Sequence, residues 1–315
     1  MAVFCPQREN PYLCVRLNSI MQIRDYGNWL KEQLGGKVQK ISVNAGFTCP
    51  NRDGHKGIGG CAFCNNQTFN PDYCRTDKSV TQQLEEGKQF FARKYPHMKY
   101  LAYFQAYTNT YGDATRCIAL YEEALRVSDV VGIVIGTRPD CMPERLLDYF
   151  AELNRRTFLV IEYGIESAND DTLAAINRGH TFACSAEAVC RTADRGIRVG
   201  GHIILGLPGE GRDELMRQAG LLASLPLTTL KLHQLQIIRG TRMEQMWLEN
   251  PWPLPSIDEY IDLVIDYVSL LPCSWVFERF VSSSPQDLLV APHWGLKNYE
   301  FTARLNRRLK ERGLY

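Results

Sequence analysis

Between Val38 and Gln236, short apolar and β-branched runs alternate with longer stretches in which apolar residues recur at three- and four-residue intervals. The short runs predict six strands: Val38 to Val43, Tyr100 to Gln105, Val130 to Gly136, Phe158 to Gly164, Val199 to Leu205 and Thr229 to Gln236. Several are nearly continuous in apolar residues, as expected of strands buried on both faces of a parallel sheet. The stretches between them, around Leu84 and Phe91, Ile118 to Leu125, Leu146 to Leu153, Ala186 to Ala193 and Leu215 to Leu222, have the spacing of helices packed on a sheet. Six βα units are too few for an eight-stranded barrel. The expected fold is therefore α/β, a partial, open (β/α)6 TIM-like barrel with its site at the carboxyl ends of the strands.

Pro251, Pro253 and Pro255 cannot continue a helix and mark a boundary after the last unit. The expected division is an N-terminal segment at 1–37, a barrel at 38–249 and a short C-terminal α/β extension at 250–315. The extension reads as a helix from Asp258 to Leu271, a strand-like Trp275 to Phe280, a polar turn at Ser282 to Pro285 and a final helix.

Composition narrows the class. With 315 residues, 45% of them hydrophobic, the chain can bury a sizeable core. Its 36 basic and 35 acidic side chains leave a formal charge of +1, so no overall field draws nucleic acid or membrane, and such a partner needs a local patch. The last helix carries one candidate, Arg304, Arg308 and Arg312 at i, i+4 and i+8 with Arg307 beside them; the stripe fits an RNA backbone or a solvated face equally well. Eleven cysteines, an odd number without regular spacing, suit a reducing compartment, and Met1 to Asn10 lacks a signal-peptide core. A cytoplasmic protein without a membrane span is expected, since no apolar run reaches roughly 18 residues.

Three cysteines stand apart. Cys49, Cys61 and Cys64 lie on a glycine-rich loop after the first strand, in Thr48-Cys49-Pro50-Asn51-Arg52-Asp53-Gly54 and Gly59-Gly60-Cys61-Ala62-Phe63-Cys64. Three thiolates can hold three irons of a four-iron cluster and leave the fourth open to a substrate or cofactor. The same Cys-x2-Cys pair suits structural zinc, with Cys74 or His55 completing the set, and reduced unliganded thiols are a third reading.

Four further motifs follow successive strands: Arg138-Pro139-Asp140, Asn177-Arg178-Gly179-His180, Gly206-Leu207-Pro208-Gly209 and Ile238-Arg239-Gly240-Thr241. With the cysteine loop, they resemble the radical S-adenosylmethionine superfamily, in the branch that contains the catalytic subunit of Elongator and the bacterial coproporphyrinogen dehydrogenases. The eleven residues between Cys49 and Cys61 are similar to the spacing in a compact bacterial family of Elongator-like proteins, the YhcC type, rather than to the superfamily's common Cys-x3-Cys-x2-Cys. Gly136 departs from the glutamate that precedes Thr-Arg-Pro-Asp in Elongator subunits, and no acetyltransferase domain is expected. The Gly206 to Gly211 turn lacks the lysine and hydroxyl residue of a phosphate loop.

The resemblance implies a 4Fe-4S cluster on Cys49, Cys61 and Cys64, with S-adenosylmethionine bound at the open iron and cleaved to a 5′-deoxyadenosyl radical. It also implies cofactor contacts from Gln105 and Thr108 near the amino group, Glu166 near the ribose, Arg178 near the carboxylate, and His202 and Ile204 near ribose and adenine. Each of these residues otherwise reads as a strand-end group satisfying its own loop. His180, His202 and His233 could form a second metal site or relay, although satisfied polar roles suit them as well. Tyr103, Tyr107, Tyr111 and Tyr163 are candidates for stacking on a base or for packing in the wall. Among the remaining cysteines, Cys141 just beyond the third strand is the candidate hydrogen donor to a product radical. The implied activity is tailoring of the C5 side chain of the tRNA wobble uridine, from carboxymethylaminomethyl to aminomethyl type. Its partners would be tRNA and a flavodoxin or ferredoxin electron donor. The alternative is a radical enzyme for a small metabolite or peptide, and a non-catalytic zinc or iron–sulfur module leaves the strand-end motifs unexplained.

Overall fold

The computed structural model describes residues 23–65, 71–92 and 98–314; residues 1–22, most of the expected N-terminal segment, lie outside the described residues. The chain runs β1 (Arg24–Asp25), α1 (Tyr26–Leu34), β2 (Val38–Val43), α2 (Val80–Ala92), β3 (Lys99–Phe104), α3 (Ala114–Leu125), β4 (Val130–Thr137), α4 (Glu144–Arg156) and β5 (Phe158–Glu166). It continues through α5 (Asp170–Ala175), α6 (Phe182–Ala193), β6 (Arg198–Leu205), α7 (Arg212–Leu222), β7 (Thr229–Gln234), β8 (Ile237–Ile238) and α8 (Arg242–Glu249). The last part holds α9 (Ile257–Val268), β9 (Val276–Arg279), β10 (Leu289–Ala291) and α10 (Asn298–Glu311).

Eight strands form one sheet in the order β1-β9-β7-β6-β5-β4-β3-β2, with every neighbouring pair parallel. The α/β open-barrel expectation holds, and the sheet is two strands wider than the six βα units alone. The strand expected in the C-terminal extension is β9, which joins this sheet beside β7, with Thr229 opposite Val276 and Leu230 opposite Phe277. β1 then pairs with the outer edge of β9. The strand expected from Thr229 to Gln236 ends two residues early, at Gln234, and a further short strand, β8, follows beyond its expected end. The apolar pattern continues through Leu235, Ile237 and Ile238, but β8 changes partner and pairs antiparallel with β10.

Alternation along the strands separates two faces. Ile41, Val43, Tyr100, Ala102, Phe104, Ile133, Ile135, Leu159 and Ile161 pack with the surrounding helices in the main core. Leu101, Val134, Phe158, Val160 and Val276, on the inner face, pack with Tyr26, Trp29 and Leu30 of α1. Helix α1, held by the Asp25 cap to Asn28 N at one end and by left-handed Gly35 at the other, therefore plugs the amino-terminal end of the barrel. The carboxyl end stays open.

Helix α10 packs on α9, where Asp258, Asp262 and Asp266 recur at i, i+4 and i+8. Arg308 pairs with Asp262 at 2.8 Å and Asp258 at 2.9 Å, and Arg312 with Asp262 at 2.7 Å and Asp266 at 3.0 Å. Two arginines of the basic stripe thus fasten the last helix to its neighbour. Among the described residues no helix is long and apolar enough to cross a membrane.

Close approach of strands makes one glycine indispensable. A Cβ on Gly132 of β4 would lie 2.3 Å from the Phe158 carbonyl oxygen and 2.8 Å from the Phe158 Cβ. Gly132→Ala is expected to force β4 and β5 apart and to lower stability by about 1–3 kcal/mol, read from chemical denaturation. An unchanged midpoint would contradict this packing.

Candidate active site

Because every strand of the barrel points the same way, its βα loops leave from one rim, and the principal cavity opens there. It takes in about 1400 Å³ of open space, much of it continuous with solvent at the mouth. Cys49, Cys61 and Cys64 line it, together with Gln105, Thr108, Glu166, Arg178, His202 and Ile204. Nine of the ten candidate site residues are therefore brought to one cavity. The tenth, Cys141, does not line it; its Sγ lies 3.7 Å from Asp140 Oδ1 in the short turn after β4, and its carbonyl accepts a hydrogen bond from Thr110.

The cysteine loop is folded on its own backbone. Cys49 O accepts from Arg52 N at 2.8 Å, Pro50 O from Lys56 N at 2.8 Å, and Asn51 O from Gly60 N at 2.8 Å. Asn51 then ties the loop to the segment after α5, donating from Nδ2 to Asn177 O at 2.5 Å and Arg178 O at 3.2 Å, with Cys61 Sγ at 3.7 Å. Asn177 returns a bond from its own amide to Gly60 O at 2.9 Å, and Ala62 N donates to Ile176 O at 2.8 Å. From the far side, Met243 N of α8 donates to Ala62 O at 2.9 Å.

Two arginines face the thiols. Arg178 Nη1 lies 3.4 Å from Cys61 Sγ and Arg138 Nη1 lies 4.0 Å from Cys49 Sγ. Arg178 is also held by Gly164 O at 2.5 Å and Glu166 at 3.6 Å, and Arg138 by Asp140 at 2.9 Å and Arg178 O at 2.7 Å. Burial pushes the Cys64 thiol up to about 12, with neighbouring Cys61 adding to the effect. It would become a thiolate on binding a positive metal centre, which displaces the proton. Three thiols at a cavity wall with guanidinium donors directed at the sulfurs fit an anionic thiolate-ligated cluster. Zinc fits less well: neither Cys74 nor His55 lines the cavity, and among the described residues no three histidine, cysteine or acidic side chains converge on a single ion position.

The other candidates sort by position. Gln105 donates to Ser42 Oγ at 2.7 Å, and buried Thr108 is anchored through its backbone N to Thr48 O at 3.2 Å. Glu166 has a φ of 69°, a left-handed conformation that ends β5 and turns the chain at the rim. Tyr103 and Tyr107 line the cavity, whereas Tyr163 is buried against Thr192 and Tyr111 packs near the His55 ring. His202 and His233 also line it, with ring centroids 5.6 Å apart, while His180 lies outside.

Sequence inspection had not singled out the floor of the cavity. Lys40, Glu162, Lys231 and Glu278, from β2, β5, β7 and β9, alternate in a closed ring. Lys40 Nζ is 2.7 Å from Glu162 and 2.5 Å from Glu278; Lys231 Nζ is 2.6 Å from Glu162 and 3.2 Å from Glu278. Lys231 also donates to Tyr103 OH at 3.0 Å, and His202 Nε2 meets Glu162 at 3.1 Å. The side chains of Glu162 and Lys231 are 1% and 3% exposed, so neither charge is relieved by bulk water. Burial opposes the Glu162 charge, but Lys231 and Lys40 outweigh it and hold the carboxyl well below its usual range. The tighter hold on Lys40 keeps its ammonium well above the ordinary value against burial, whereas burial brings the more loosely held Lys231 down to about 8. Charged residues inside otherwise apolar strand runs were the available sequence signal.

The chain matches the Radical SAM superfamily over residues 45–221 and the Radical SAM C-terminal domain over residues 227–311. It belongs to the radical SAM superfamily, and is an enzyme of that class using a 4Fe-4S cluster and S-adenosylmethionine. Within it, the chain is similar to YtqA of Bacillus subtilis, 39% identical over 288 residues that make up 91% of this chain and 89% of that protein. It is also similar to YhcC of Escherichia coli K12, 34% identical over 290 residues, 92% and 93% of the two chains. Among solved structures, its fold resembles the archaeal Elp3 of Methanocaldococcus infernus, with a TM-score of 0.67 at 16% identity, covering 88% of this chain and 64% of that one. The expected Elongator-like compact family is thereby found.

Two substitutions test the site's construction. Gly179 has a φ of 75°, and a Cβ there would lie 2.6 Å from Asn51 Oδ1. Gly179→Ala should displace the Asn51 clamp and reduce the iron retained by anaerobically reconstituted protein; full iron content would show that the clamp is dispensable. Glu162→Gln leaves Lys40 and Lys231 sharing one carboxylate. It should cost about 3–5 kcal/mol in chemical denaturation, as expected when a buried ion pair is broken, and a loss below about 1 kcal/mol would mean that the ring is solvated.

Proposed function

We propose that this radical SAM enzyme tailors the C5 side chain of the tRNA wobble uridine, converting a carboxymethylaminomethyl group to an aminomethyl group. The observation carrying the proposal is the one cavity that joins three rim cysteines to a deep polar floor and opens to solvent at the rim. The Elongator-like motifs support the choice of substrate. Exposed Tyr107, with the Arg52 guanidinium 5.8 Å from its ring centroid, offers a stacking surface at the mouth.

Cys49, Cys61 and Cys64 hold the cluster, and the Arg138 and Arg178 guanidinium groups offset part of its negative charge. Gln105, Thr108, Glu166, Arg178, His202 and Ile204 form the bed for S-adenosylmethionine. When bound, cluster and S-adenosylmethionine supply a 5′-deoxyadenosyl radical able to take a hydrogen atom from an unactivated carbon. The protein's own work is positioning: the α1 plug and the paired charges above it close the barrel floor, so the reacting carbon is held away from bulk water. A flavodoxin or ferredoxin supplies the electron.

A small metabolite or peptide is the second reading. Engagement of Arg308 and Arg312 by α9 favours it, because two positions of the basic stripe are no longer free to follow an RNA backbone. Mass spectrometry of nucleosides in total tRNA separates the two. In cells lacking the gene, the aminomethyl-type uridine is expected to fall and its carboxymethylaminomethyl precursor to accumulate, with rescue by the wild-type gene and none by a Cys61→Ala copy. An unchanged profile, in a host that makes this modification and has no duplicate enzyme, would remove tRNA as substrate.

A further inference from the structure

The ring on the floor is electrically closed, two ammonium groups against two carboxylates, yet another cation stands beside it. Arg279, the last residue of β9, lines the cavity half-buried, and among the described residues it has neither an ion pair nor a hydrogen-bond partner for its guanidinium. A register shift brings it there. Leu230 is opposite Phe277 but Lys231 is opposite Arg279, so Glu278 is the extra residue of a bulge. Two consecutive side chains, Glu278 and Arg279, thereby turn into the barrel: Glu278 closes the ring and Arg279 continues to the cavity wall. The neighbouring His233 is uncharged and cannot neutralise Arg279. Burial holds the His233 imidazole well below its ordinary range, with His202, Arg279 and Lys231 adding to the effect. Ser282, Ser284 and Gln236 line the same wall and offer only neutral groups.

We infer that Arg279 is the receptor for a carboxylate on the substrate, a subsite on the cavity wall beside the charged floor. A half-buried guanidinium on the cavity wall, without a partner among the described residues, is free to take one, and a carboxylate matches its planar fork with two parallel hydrogen bonds. The inference deepens the tRNA reading and rests on it for the identity of the ligand: the carboxymethylaminomethyl side chain ends in a carboxylate, and the aminomethyl product has none. The subsite therefore selects substrate over product and sets how deeply the side chain enters. Arg279 acts as a binding and specificity residue, distinct from the rim arginines occupied by Asp140 and Glu166.

The test uses reconstituted holoenzyme and tRNA bearing carboxymethylaminomethyluridine. Arg279→Gln is expected to lower kcat/KM by about tenfold or more, chiefly through KM, as for loss of a charge-assisted pair. Arg279→Lys should recover a part through its charge alone. Iron content and thermal unfolding verify that both variants fold. A kcat/KM for Arg279→Gln within twofold of wild type would overturn the inference. If wild-type enzyme leaves this tRNA unprocessed, the substrate reading has failed, and free N-methylglycine then decides Arg279 alone as a carboxylate probe. A rise in unfolding temperature for wild type and Arg279→Lys, but not for Arg279→Gln, upholds the subsite; equal shifts in all three, or none, overturn it.

Discussion

Four buried charges midway along the barrel govern what lies on either side of them. Lys40, Glu162, Lys231 and Glu278 come from four strands, and each has two opposite charges within 3.2 Å. Desolvating such groups costs several kcal/mol each, so the arrangement is tolerable only while every member is paired. This requires β2, β5, β7 and β9 to keep their relative heights, and it makes the C-terminal strand a member of the barrel rather than an accessory. Below the ring, apolar side chains of α1 fill the barrel; above it, the interior becomes a polar cavity. The change from packed plug to reaction chamber occurs at this layer.

The rim is organised by a different principle, mutual satisfaction of loops. The cysteine loop is rich in glycine and has few apolar anchors, so its shape depends on hydrogen bonds to the segment following α5. Asn51 and Asn177 exchange side-chain bonds with each other's backbone segments, and Arg178 continues from that clamp toward Cys61. Arg138 bonds both Asp140 and the Arg178 carbonyl while facing Cys49. A residue that reads as part of a motif after the fifth strand is therefore also a support for a thiol after the second. Displacing one loop disturbs the other, so the strand-end motifs of this chain act on one another through the cysteine loop.

Charge is distributed by depth. At the rim, Arg138 and Arg178 each have a carboxylate and a sulfur to answer, whereas on the deeper wall the paired ring leaves Arg279 over. The overall +1 of the chain conceals this arrangement, because near-zero net charge says nothing about where opposite charges fail to meet. The arginine stripe on α10 shows the reverse case: it is conspicuous in sequence, yet two of its members are engaged by aspartates at matching spacing on α9.

The local pattern alone determined the order of strands and helices, the parallel sheet, the end of the barrel at which the site lies, and the distinctive spacing of Cys49, Cys61 and Cys64. Those features depend on periodicity and on residue types at short separation, which a single chain displays directly. Helices α1, α5 and α8 were less legible, being short or flanked by segments without a clear repeat. Only the tertiary structure decided that β9 joins the barrel sheet, that Cys141 lies off the cavity while Gln105, Thr108, Glu166, His202 and Ile204 reach it, and that Arg279 has no ion-pair partner among the described residues. The physical reason is sequence distance. Lys40 and Glu278 are separated by 238 residues, and neither partner carries a local sign of the other; a bulge that turns one further side chain inward is equally invisible until two strands are set in register.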